Sequence, residues 1–136
     1  MRAYLASPML ALVCLAGCAT AQRDTLLAET SLASAVSLAY RTIDGVDNVK
    51  VASIRAKMAV DPAAANRDYV AYKPKIEKAR AAVNSAEDVL EDADNLREAA
   101  SKASGDWKNY TAYLPALVSA LATIQQTIAD VKGLLP

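Results

Sequence analysis

The chain has 136 residues, no net formal charge, no His and two Cys, so it allows one domain and excludes a Ser-His-Asp triad, a Cys-His pair, a His-rich metal site and a four-thiolate zinc cluster. Apolar residues make up 54% and thirty positions are Ala, while aromatic residues are only 5%, so the apolar excess comes from small helix formers and the expected class is all-α. Balanced charge argues against a nucleic-acid partner.

Residues 1 to 22 read MRAYLASPMLALVCLAGCATAQ, with Arg2 ahead of an uncharged run from Ala3 to Ala16. That is the layout of an export signal, and the run is shorter than the roughly 17 to 25 residues of a membrane span. Leu15-Ala16-Gly17-Cys18 closes the run.

These four residues resemble the lipobox of bacterial lipoproteins. The resemblance covers only the signal region and implies cleavage before Cys18, a diacylglycerol on its sulfur and an acyl chain on its new amine. Leu15, Ala16 and Gly17 would be read by the signal peptidase, and Ala19, in place of the Asp of inner-membrane retention, implies sorting to the outer membrane on its periplasmic side. The alternative is a cut after Ala19 or Ala21, which would release a soluble periplasmic protein. Two or three acyl chains make a stable anchor, whereas one does not. Cys14 falls in the leader, so the mature chain would hold one blocked Cys and no disulfide.

The expected organisation is thus a signal peptide over 1–17, the lipidated Cys and a short linker over 18–23, and a helical domain over 24–136. The linker, Ala19 to Arg23, would reach no more than about 17 Å if extended. Asp24 or Thr25 is the expected cap of a first helix with core positions Leu32, Val36, Ala39, Ile43 and Val46. The next position in that series is Lys50, and the apolar stripe resumes at Val51, Ile54 and Met58. This slip coincides with Asp44-Gly45-Val46-Asp47-Asn48, so a bend or short break is expected there.

Asp61-Pro62 predicts an N-cap followed by Pro at the first helical position. The second helix carries Tyr69, Tyr72, Ile76, Ala79, Val83, Ala86, Leu90, Ala93, Arg97 and Ala100 on one face, with a kink expected at Pro74. Ser104-Gly105-Asp106 predicts a tight reversal. A third helix follows with Trp107, Tyr110, Leu114, Leu117, Leu121, Ile124, Ile128, Val131 and Leu135 at successive core positions, a kink at Pro115, and Gly133 and Pro136 at its end. Three such stripes joined by short turns predict an antiparallel up-down-up three-helix bundle, coiled-coil-like in its packing, with self-assembly through the same stripes as the competing arrangement.

The acidic run Glu87, Asp88, Glu91, Asp92, Asp94 and Glu98 lies off the apolar stripe and reads first as a solvated face, then as a docking surface for a basic partner. Lys73, Lys75, Lys78 and Arg80 make the same helix bipolar, and Asp44 and Asp47 of the first helix are natural counter-charges. Tyr69 and Tyr72 sit near the Asp61-Pro62 turn, where a partner would be met or where they are simply core. Trp107, Tyr110 and Tyr113 would lie near the anchor as membrane contacts, with bundle core as the alternative for the first two. No metal site, cofactor, small-molecule substrate or nucleic-acid partner is expected, apart from the covalent lipid on Cys18.

The functional expectation is therefore a non-catalytic, lipid-anchored envelope lipoprotein that serves as a structural or protein-interaction module and meets an envelope protein or itself. Alternatives are a prophage-associated lysis or envelope lipoprotein and a soluble periplasmic helical binding protein. An enzyme would need a pocket, and Ala-rich helices are expected to leave little cavity.

Overall fold

The computed structural model describes residues 8–102 and 106–135, with side chains from Ala19 onward. The elements are α1 (Pro8–Met58), α2 (Pro62–Lys102), α3 (Lys108–Thr111) and α4 (Leu114–Lys132); among the described residues there is no strand. The expected all-α class is met. The backbone of Leu15 to Cys18 lies within α1, while their side chains, residues 103–105 with the expected Gly105 reversal, and Pro136 lie outside the described residues.

Two expectations for the first helix are corrected. It runs without interruption through Ala19 to Arg23, so these residues rise about 1.5 Å each and cover about 8 Å, not the reach of an extended linker. Asp24 and Thr25 are helix interior; Thr25 is fully buried, and its hydroxyl donates to the Ala21 carbonyl at 2.8 Å, which satisfies a polar group inside the core. Nor does α1 break at Gly45. The slip in the apolar stripe has another cause: Leu32, Ile43 and Ile54, buried to 0%, 1% and 8% exposure, recur every eleven residues. Eleven residues make about three helical turns with a drift of only about 20°, so an unbroken straight helix keeps all three on one line.

Asp61 caps α2 as expected, its Oδ1 accepting the Ala64 N–H at 2.9 Å, with Pro62 in the first position. The helix continues through Pro74. Its buried set is Ala65, Tyr72, Ile76, Ala79, Val83, Ala86, Ala93 and Ala100; Tyr69 is 43% exposed and leaves the expected stripe. The third expected helix is divided into α3 and α4 around Ala112 and Tyr113. Pro115 has no N–H for the Thr111 carbonyl, and the chain tightens there into i to i+3 bonds, Tyr113 N to Tyr110 O and Ala116 N to Tyr113 O, both 3.0 Å. Asp106 Oδ1 receives the Lys108 N–H at 3.2 Å, and α4 ends at Gly133 as expected.

α1, α2 and α4 all pack on one another and share a single core, in which Leu32, Ile43, Val83, Leu117 and Ile124 are almost completely buried. At about 25 cal/mol per Å² of apolar surface, each such aliphatic side chain contributes about 1.5–3 kcal/mol. Polar contacts pair α1 with α2 in a fixed order: Glu29 with Arg97, Tyr40 with Glu87, Asp47 with Arg80 and Lys57 with Asp68.

Candidate functional site

The polar residues inside the fold gather into two clusters built on α1 carboxylates. Asp47 accepts the Tyr72 hydroxyl at 2.6 Å on Oδ1 and the Arg80 guanidinium at 2.9 Å on Oδ2, so both oxygens are used. Glu29, only 12% exposed, accepts the Tyr110 hydroxyl at 2.6 Å on Oε2. Its Oε1 lies 3.3 Å from Arg97 Nε, an ion-pair distance at which that buried N–H makes no hydrogen bond, because the guanidinium directs Nη2 to Asp94. Burial, with the acidic acceptor second, raises both the Tyr72 and Tyr110 phenols well above the usual range. The Glu29 carboxylate is the main reason that Arg97 holds its proton still more firmly.

These clusters are structural. Each phenol donates to a carboxylate that is already committed, and among the described residues there is no group of three or more His, Cys, Asp or Glu able to hold a metal. Tyr72, expected as a docking residue, is 5% exposed and serves the core; Tyr110, expected as a membrane contact, is 1% exposed and is likewise core. Both are corrected for one reason: a phenol on a buried stripe is held inside once a cross-helix carboxylate receives its hydroxyl. Trp107 is half-buried, edge-on to Tyr110 with centroids 5.7 Å apart. Tyr113 is half-buried, and its hydroxyl donates to Asp92 at 3.1 Å.

The acidic run is exposed throughout. Glu87 accepts from Tyr40 at 2.7 Å, Asp92 from Tyr113, and Asp94 and Glu98 pair with Arg97 and Lys102. Asp88 and Glu91 form no hydrogen bond or ion pair within the chain among the described residues, so they are the two carboxylates left for another molecule. Around the turn between α1 and α2, Met58, Val60, Tyr69 and Val70 are 48%, 86%, 43% and 63% exposed.

Contrary to the expectation of little cavity, a groove of about 860 Å³ runs between α2 and α4. Lys75 and Lys78 stand on one side, Gln126 and Asp130 on the other, with Ala79, Ala82, Ala122 and Ala129 between them. Large residues such as Ile76, Ile124 and Ile128 set the helix separation in the core, and the small Ala side chains on the outer edge leave the gap unfilled. Spacing along one helix reports which face is apolar but not how far two edges stand apart. No protein-family model, curated protein or solved structure matches this chain.

Proposed function

We propose that the chain is a non-catalytic lipoprotein of a bacterial envelope, anchored through acyl chains on Cys18 to the periplasmic side of the outer membrane and presenting a helical rod to a protein partner. The observation that carries this reading is the Leu15-Ala16-Gly17-Cys18 tetrad at the end of an uncharged fourteen-residue run behind Arg2. Cleavage there would start the mature chain inside α1, so lipid and rod would join without a flexible spacer.

The rod is an up-down-up bundle in this reading. The falling order of α2 partners along α1, from Arg97 opposite Glu29 to Asp68 opposite Lys57, supports antiparallel α1 and α2. Tyr113 opposite Asp92, with Leu134 beside Ala71 and Tyr72, supports α4 antiparallel to α2. The forty residues from Cys18 to Met58 then span about 60 Å. The Met58, Val60, Tyr69 and Val70 tip would stand that far from the lipid, and Asp88 and Glu91 part of the way up, as the surfaces for an envelope partner. Trp107 lies near the anchored end.

Metabolic labelling with a palmitate analogue tests the anchor. The wild-type chain should carry label and sediment with membranes, whereas Cys18→Ser should lose the label and appear in the soluble fraction. An unlabelled wild-type chain overturns the proposal. The groove between α2 and α4 favours a second reading, a periplasmic binding protein for an elongated anionic amphiphile held by Lys75 and Lys78, which native mass spectrometry of the purified chain would reveal as retained ligand.

A further inference from the structure

The face of α1 that points away from the core repeats every eleven residues, and it is uncharged. Leu27, Leu38 and Val49 occupy the first position of the repeat, 55%, 51% and 53% exposed. Ser31, Thr42 and Ser53 occupy the fifth, and Ser34, Gly45 and Ala56 the eighth. With a drift of about 20° per eleven residues, these nine positions form one narrow strip about 45 Å long on a straight helix. The core face of the same helix follows the same period through Leu32, Ile43 and Ile54, where it packs against α2 and α4. α1 therefore has two helix-packing faces, and only one is covered.

We infer that a second copy of this chain covers the other, in an antiparallel α1–α1 pairing with its dyad beside Thr42. The strip is self-complementary in that direction. Leu38 falls opposite the partner's Gly45, Leu27 opposite the partner's Ala56 and Val49 opposite the partner's Ser34, so each large side chain meets a small one and the two axes keep an even separation. Gly45 suits this role: a Cβ there would have no atom within 4 Å, which leaves open space over the helix for the incoming Leu38. Charge agrees with shape. Arg41 and Asp44 flank the strip on one edge, exposed and without a hydrogen bond or ion pair in the chain, and antiparallel pairing brings each Arg41 to the partner's Asp44, twice across the dyad. A parallel pair would stack Leu on Leu and Gly on Gly and place those charges on opposite edges. The inference does not depend on lipidation.

Sedimentation of the full chain in mild detergent tests the pairing. A dimer is expected, converted to monomer by Leu38→Glu, while helix content and thermal midpoint stay unchanged because Leu38 is exposed. A wild-type monomer at about 0.1 mM overturns the inference, as does a Leu38→Glu variant that remains dimeric, which would trace association to the N-terminal segment. Single-cysteine chains with Cys14 and Cys18 replaced by Ser fix the direction. Thr42→Cys should disulfide-link to itself, and Leu27→Cys should link to Ala56→Cys; self-linking of Leu27→Cys would overturn the antiparallel arrangement.

Discussion

Glu29 and Asp47 stand eighteen residues apart on α1, five turns, and so face the same way; each receives a buried tyrosine hydroxyl at 2.6 Å and lies beside an arginine of α2. They differ in completeness. Asp47, 27% exposed, has both oxygens hydrogen-bonded by two α2 residues. Glu29, 12% exposed, takes its tyrosine from α3, and its arginine is shared with Asp94, so Arg97 Nε is buried without an acceptor. One cluster clasps two helices with every group satisfied; the other joins three elements and leaves a donor wanting. An incompletely satisfied polar cluster contributes less than its contacts suggest, yet losing a partner from it costs more, because what remains is buried.

The largest test of that contrast is Tyr110→Ala, which removes a nearly inaccessible ring together with the Glu29 donor. It should cost about 3–5 kcal/mol in urea denaturation, enough to leave the chain marginal at 37 °C. Hydroxyl deletion sharpens the comparison: Tyr110→Phe should cost about 1–3 kcal/mol, and Tyr72→Phe less, near 1 kcal/mol, because Asp47 keeps Arg80 and more water. Equal costs would mean that the two sites do not differ in the way described.

Alkaline unfolding follows from the same hydroxyls. An unfolded tyrosine titrates near pH 10, and both phenols are raised in the fold, first by burial and then by the acidic acceptor. Their stabilising contribution is therefore fully present below about pH 10 and is lost as the pH rises through the higher folded values. A Tyr72→Phe, Tyr110→Phe chain should show a flatter fall in thermal midpoint above pH 10 than the wild type. The smallest effect concerns Lys57 and Asp68, an exposed pair at 2.6 Å whose hydrogen bond holds the Asp68 carboxyl below its ordinary range. Lys57→Ala should move the Asp68 titration, followed by carboxyl NMR, back up toward that range with no measurable change in melting.

The chain's periodicity made much of this fold legible. Leu32, Val36, Ala39, Ile43 and Val46 on α1, and Ile76, Ala79, Val83, Ala86 and Ala93 on α2, are buried as their spacing requires. The Asp61-Pro62 cap and the α4 end at Gly133 were readable because they depend on local backbone chemistry. Continuity at Gly45 was not, since a seven-residue repeat was imposed on a helix whose core recurs every eleven. The carboxylate acceptors of Tyr72 and Tyr110 were also hidden: a one-helix pattern carries no register between helices, and only the folded arrangement brings Glu29 to a residue 81 positions away. The α2–α4 groove escaped for the same reason, as a distance between elements.

The measurement that bears most directly on the account is the intact mass and N-terminal sequence of the mature chain recovered from membranes. The account predicts a chain beginning at Cys18 that is heavier than its amino acids by a diacylglycerol and an amide-linked acyl chain. An unmodified chain whose mass equals that of its residues, beginning after Ala19 or Ala21, would contradict it.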